Sequence, residues 1–202
     1  HWDQIEYEDQ LESFSGDYIG PMRKVARGGY KGARGAHMLT HYGCRKGSTK
    51  EPTRYVQGYP VKTKSQAPEC VQTFVHHLRS RFNRICRHGQ FDQAKEYKGR
   101  KMIEQMIQDD WYATYSPTYT AVKNRHAEKT NHLICELALL MMVRAQAPPW
   151  AWALALAHAV WIYNRLGTWE SETSSGKSPY ELMSGVVPDG SMNRVFWCPC
   201  SP

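Results

Sequence analysis

Asp17-Tyr18-Ile19-Gly20-Pro21-Met22 places a carboxylate in a short apolar stretch that runs into a Gly-Pro pair. Two further acids have distinctive neighbours. Asp92 opens Asp92-Gln93-Ala94-Lys95-Glu96-Tyr97, and Glu128 stands in Asn124-Arg125-His126-Ala127-Glu128-Lys129-Thr130-Asn131. Thirty-five residues separate Asp92 from Glu128. Among so many Asp and Glu residues, roughly 0.4 such pairings arise by chance, so spacing alone decides nothing. The surrounding residues and their order carry the reading.

Outward from these acids the chain divides into short elements. Phe14 to Val25 reads as a first strand with Asp17 on it, and 31–42 and 55–61 as two antiparallel partners. Gly43, Gly47 and Pro52 interrupt the link between the partners, so the fold of 43–58 stays open. Val71, Phe74, Val75, Leu78, Phe82 and Ile85 recur at helical spacing and form one apolar stripe. Phe91 and Asp92 end a short strand. Met102, Ile103, Met106 and Ile107 mark a second helix, and 111–115 another strand. A helix without internal Gly or Pro runs from about Lys123 to Val143, its Ala127, Leu133, Ile134, Leu137, Leu140 and Met141 read as core. Pro148-Pro149 stops it. The segment 150–165 is apolar nearly all round, as in a sandwiched helix. Pattern alone supports a mixed α/β domain.

Further motifs accompany the three acids. They are Tyr115-Ser116-Pro117-Thr118-Tyr119-Thr120, Trp161-Ile162-Tyr163-Asn164-Arg165, Lys177-Ser178-Pro179-Tyr180-Glu181-Leu182 with Gly185 and Pro188, and Arg194-Val195-Phe196-Trp197-Cys198-Pro199. In this order the set resembles the integrase catalytic core of copia-type retrotransposons, over about 13–202. The resemblance implies an α/β, ribonuclease H-like fold: a mixed five-stranded sheet flanked by helices. It divides the chain into a linker (1–13), a catalytic core (14–165) and a C-terminal extension (166–202). It also implies a piece of a longer product whose His/Cys zinc domain lies upstream.

Some residues depart from that pattern. Ala94 and Lys95 stand where relatives carry a glycine pair, and Arg125 and His126 where they carry a small or apolar pair. From Thr40 to Tyr59 the chain reads Thr40-His41-Tyr42-Gly43-Cys44 and then a polar run to Arg54, where relatives have an apolar strand and an acidic pair. That stretch reads as a decayed element.

Composition agrees with a nucleic-acid partner. The 202 residues carry a net charge of +7, while 1–17 hold six acids and no Lys or Arg. Arg23, Lys24, Arg27, Lys31 and Arg34 form one basic run, and Arg79, Arg81, Arg84 and Arg87 another. A solvated basic face that binds nothing is the plain alternative. The apolar run 151–162 is too short to cross a bilayer, so no membrane partner is expected. The six cysteines lack framework spacing and read as reduced thiols. His37, His41 and Cys44, or Cys198 and Cys200, offer zinc-like ligands, but neither set supplies four, and zinc is not expected.

The chemistry implied is magnesium- or manganese-dependent 3′-processing of element DNA and strand transfer into target DNA. Two divalent ions about 3.5–4 Å apart stabilise the attacking and leaving oxygens of such a displacement. Asp17 would bridge both ions, with Asp92 serving one and Glu128 the other; magnesium asks for little beyond hard oxygen ligands. Lys95, Lys123, Asn124, Arg125 and Asn131 would contact double-stranded DNA. A homo-oligomer on DNA and a nuclear location are implied by the family. Each acid also has a structural reading: Asp17 paired with Arg23 or Lys24, Asp92 as a turn residue, Glu128 as a first-turn helix acid. Two other activities share these residues, a hydrolytic nuclease and an inactive relic that only binds nucleic acid. Lys95 bears on activity, because a cation about 4 Å from a carboxylate gains roughly 1–4 kcal/mol and competes with metal. Lys95→Gly is therefore expected to tighten magnesium binding in a calorimetric titration; an unchanged affinity would clear Lys95 of that role.

Overall fold

The computed structural model describes residues 12–43, 53–116, 125–166 and 176–198. Five strands form one sheet: β1 (Ser13–Ile19), β2 (Gly35–Tyr42), β3 (Tyr55–Val61), β4 (His88–Phe91) and β5 (Tyr112–Tyr115), in the order β3-β2-β1-β4-β5. β1, β2 and β3 are mutually antiparallel, whereas β4 and β5 run parallel to β1. The helices are α1 (Ala67–Phe82), α2 (Arg100–Gln108), α3 (Arg125–Arg144), α4 (Trp152–Leu166) and α5 (Pro179–Ser184). This is the mixed five-stranded sheet with flanking helices that the family resemblance implied.

Strand alternation sorts side chains to two faces. On one face Phe14, Leu39 and Phe91 pack with Phe74 and Leu78 of α1, Met102 of α2 and Trp111. The Phe14 ring lies 5.8 Å from Phe74, 5.7 Å from Phe91 and 5.2 Å from Trp111, in tilted or edge-on contacts. On the other face Ala36, Met38 and Val56 meet Ile134 of α3 and Leu156, Val160 and Tyr163 of α4. Met183 of α5 is buried in the first cluster, so 179–184 complete the same core.

The structure shortens several of the expected elements, among them β2, which begins at Gly35 rather than at 31. β1 stops at Ile19, because Gly20 adopts φ +130° and Pro21 has no N–H for a ladder. The α1 stripe ends at Phe82: Asn83 turns left-handed (φ 52°) and its N–H bonds to the Arg79 carbonyl. Ile85, counted in the stripe, is exposed. In α3 the buried positions are Thr130, Asn131, Ile134 and Ala138, one face against β1 and α4. Leu133 and Leu140, expected in the core, lie on the opposite exposed face. Helix composition identified apolar residues there but not which ones meet the sheet.

The 40–59 stretch is better built than its residues promised. β2 and β3 pair without a break from His41↔Tyr55 to Gly35↔Val61; residues 44–52 lie outside the described residues. Thr40 and His41 are buried strand residues. β3 is an edge strand, and Asn164 of α4 covers its buried edge as another strand would. The Asn164 side-chain oxygen accepts from the Val56 N–H (2.9 Å) and its amide donates to the Val56 carbonyl (2.7 Å). Asn164→Ala would leave both backbone groups buried without partners, at about 1–3 kcal/mol each. A loss of about 2–5 kcal/mol is expected in urea unfolding, and a loss below 1 kcal/mol would mean that the edge is open to water.

Candidate active site

Parallel pairing places the first two acids. Ser13, Phe14 and Ser15 of β1 lie level with His88, Gly89 and Gln90 of β4. Two residues further along both strands, Asp17 comes level with Asp92, which immediately follows β4. Adjacent strands lie about 4.8 Å apart, and level residues share a face. The two carboxylates therefore belong to one site at the C-terminal end of β1 and β4. The Asp17 carboxyl is pushed above its ordinary value by burial first and by the Asp92 charge in addition. Hydrogen bonds from the Tyr18 N–H and Asn131, and the charge of Lys64, oppose the shift.

The neighbours of Asp17 differ from the simple pairing considered above. Oδ1 accepts the Tyr18 N–H (2.7 Å), and Oδ2 accepts the Asn131 amide (3.2 Å). Asn131 was expected on DNA. It is 4% exposed and spends its amide on Asp17, which makes it a positioning residue for that carboxylate. Asn131 stands one turn beyond Glu128 on α3, and residues three apart share a helix face. The contact thus brings the start of α3, with the exposed Glu128, to the same end of β1. Asp92 is exposed, and its Oδ1 accepts the Ala94 N–H (3.1 Å), so it is also a turn residue. Lys123 and Asn124 lie outside the described residues, as does the side chain of Arg125.

Several groups around the site were not identified from sequence. His37 is fully buried on β2, with Nε2 3.0 Å from the Lys64 carbonyl and Nδ1 3.0 Å from the Tyr97 hydroxyl. A carbonyl can only accept, so Nε2 carries the proton and Nδ1 accepts from Tyr97. Burial holds the imidazole below its usual pKa, in agreement with this neutral form. Both ring nitrogens are engaged, which removes His37 from any metal set. Burial, followed by the charges of Asp17, Asp92 and Glu96, raises Tyr97 well above the phenol range and keeps its hydroxyl a donor. Lys64, 4.6 Å from the Tyr18 ring centroid, is the cation that acts on Asp17; Lys95 is exposed on the turn after Asp92. A Lys in a strand-to-helix link has no local sequence signal of this role.

The donor set fits a hard divalent cation. Asp17 is a partly desolvated carboxylate beside a second carboxylate, with Glu128 on the adjoining helix, and oxygen donors of this kind are what magnesium accepts.

The mixed five-stranded sheet with its flanking helices is the ribonuclease H-like fold seen in retroviral integrase catalytic cores. The HTLV-2 integrase catalytic core domain, solved in complex with magnesium, matches 86% of this chain and 97% of its own, with TM-score 0.60 and 14% identity. A simian T-cell lymphotropic virus intasome chain matches 96% of this chain and 59% of its own, again at TM-score 0.60 and 14% identity. In sequence, the chain is homologous to part of the retrovirus-related Pol polyproteins from transposons RE1 and RE2 of Arabidopsis thaliana. Identity is 34% over 152 residues for RE1 and 29% over 156 for RE2, each alignment covering 74% of this chain. The chain spans about a tenth of the length of these relatives. No protein-family model matches it.

The raised Asp17 pKa has a measurable consequence. Because the folded value lies above the unfolded one, the penalty is absent at low pH. It grows as pH rises through the carboxylate range and is complete above the folded pKa. Asp17→Asn is therefore expected to raise the melting temperature of metal-free protein at pH 7 by about 2–4 °C, with no gain at pH 3. Equal effects at both pH values would mean that burial does not act on the Asp17 carboxylate.

Proposed function

We propose that this chain is the catalytic core of a copia-type retrotransposon integrase, trimming the 3′ ends of element DNA and joining them to target DNA. The observation that carries this reading is the levelling of Asp17 with Asp92 on parallel neighbouring strands, with α3 tied to Asp17 through Asn131. Two divalent ions bound there would supply charge neutralisation at the attacking and leaving oxygens of the phosphodiester. The chain's own contribution is placement. Asn131 and the Tyr18 N–H fix the two oxygens of Asp17, and the Lys64 charge offsets part of its field.

The substrate proposed is double-stranded DNA. The loop between β1 and β2 leaves Asp17's strand at its C-terminal end and carries Arg23, Lys24, Arg27, Lys31 and Arg34, all exposed. Phosphate contacts from such a loop would provide affinity without sequence information. The second basic run is partly committed elsewhere, since Arg84 pairs with Glu12 and Arg87 with Asp110. Lys95, Lys123, Asn124 and Arg125 remain proposed DNA contacts beside the carboxylates. A homo-oligomer on DNA and action in the nucleus complete the proposal.

The test is magnesium- or manganese-dependent 3′-trimming, strand transfer and disintegration of a branched substrate, beside Asp92→Asn and Glu128→Gln. Each substitution is expected to lower the rate by about 100-fold or more, equivalent to ~2.7 kcal/mol of transition-state stabilisation. If all three proteins are equally inactive and bind DNA with equal salt sensitivity, the chain is a nucleic-acid-binding relic. Hydrolysis of unrelated duplexes without joining would indicate a nuclease.

A further inference from the structure

Glu12, His41 and Cys86 converge at the end of the sheet away from Asp17. Glu12 immediately precedes β1, His41 is the last but one residue of β2, and Cys86 lies two residues before β4. Glu12 and Asp17 are five residues apart along β1, about 16 Å at the rise of a strand. One carboxylate oxygen, one imidazole nitrogen and the thiol sulfur of the three residues all lie within 4.8 Å of one another.

The outer atoms of two of these groups are held while their inner atoms are bare. Thr53 Oγ1 donates to the His41 carbonyl (3.2 Å) and lies 2.7 Å from His41 Nδ1. A hydroxyl has one hydrogen, so with that hydrogen on the carbonyl Oγ1 accepts from Nδ1–H, which leaves a lone pair on Nε2. His41 is 0% exposed, and Nε2 has no hydrogen-bond partner. Its facing group is Glu12 Oε2, 3.9 Å away, itself buried without a hydrogen bond. The other Glu12 oxygen accepts from Arg84 Nη1. With Nε2 unprotonated, Nε2 and Glu12 Oε2 face each other without a hydrogen to share, an unfavourable contact that a cation between them would relieve. An imidazole fixed through its second nitrogen, and a carboxylate fixed through its second oxygen, match the outer-shell support that metal ligands receive.

We propose that Glu12, His41 and Cys86 bind one zinc-class transition-metal ion, with a water in the fourth position, as a staple joining the starts of β1 and β4 to the end of β2. Nitrogen, sulfur and oxygen donors together select zinc over magnesium, since a thiolate is a poor ligand for a hard ion. A tetrahedral ion with bonds of 2.0–2.3 Å needs ligand atoms about 3.3–3.8 Å apart, so binding would draw the three groups together from their present spacing. Burial pushes the Cys86 thiol far above its ordinary pKa, so without the ion it stays protonated, and binding releases a proton. This site is separate from the proposed catalytic carboxylates, and it shares only His41 with the set of His37, His41 and Cys44 weighed from sequence.

The test is titration of the purified chain with Zn2+ and with Co2+. Expected results are one equivalent of zinc retained after dialysis, and a thiolate-to-cobalt charge-transfer band. Cys86→Ser is expected to abolish the band, and His41→Gln and Glu12→Gln to weaken zinc by about 100-fold or more. Asp17→Asn and Cys70→Ser, a buried thiol elsewhere, are expected to leave both readings unchanged. Absence of stoichiometric zinc on folded wild-type protein would overturn the proposal, whatever the variants do. A cobalt band that survives Cys86→Ser would also overturn it, by placing the metal on other thiols. In that event His41 Nε2 carries a proton and closes onto Glu12 as an ordinary buried hydrogen bond.

Discussion

The parallel pairing of β1 with β4 is the constraint on which the carboxylate end of this molecule depends. It sets Asp17 level with Asp92 and forces two like charges together at the mouth of an otherwise apolar sheet. The core beneath them is rigid: Phe14 and Phe91, three and one residues before the two acids, pack edge-on at 5.7 Å. Neither strand can slide to relieve the repulsion without carrying its phenylalanine out of the core. The strain is instead met locally, by the Tyr18 N–H, by Asn131 and by Lys64. A site that charges its carboxylates at such cost is suited to a cation, and this physical logic links the fold to the proposed chemistry.

A second theme is the treatment of buried polar groups. His37 binds between Tyr97 and the Lys64 carbonyl, and Asn164 closes the edge of β3. The Trp152 indole N–H reaches the Lys24 carbonyl and anchors α4 to the basic loop (2.9 Å). In each case a donor meets an acceptor, so burial adds specificity without leaving a group stranded. His41 and Glu12 break this rule, since their facing atoms are both acceptors. The convergence of a thiol on the same two atoms is what distinguishes their cluster.

Much of the scaffold was legible in the residues. The α1 stripe, the proline pair after α3 and the Gly-Pro after Ile19 act over one or two turns, and local signals of that reach survive translation into structure. Legibility failed where packing partners decide. Leu133 and Leu140 read as core because they are apolar, yet α3 presents its Thr130–Asn131–Ile134–Ala138 face instead. The stretch after Thr40 read as decayed because it is polar. Strand pairing and hydrogen bonds to Thr53 nevertheless bury it as the end of β2. Of the site, three acids could be proposed from their neighbours, whereas the Asn131 contact with Asp17, the pairing of His37 with Tyr97 and the charge of Lys64 had no local signal.

The order of residues was thus enough to point to the relatives, to the element sequence and to three candidate acids, because each rests on local patterns and motifs. Which acid faces which neighbour came from folding. Asp17 meets Asp92 through strand register and Asn131 through the docking of α3, contacts that span 75 and 114 positions. The cluster of Glu12, His41 and Cys86 likewise joins three distant segments. No local propensity encodes such contacts; they follow from the burial of shared apolar faces, which fixes strands and helices against one another and carries their polar residues along.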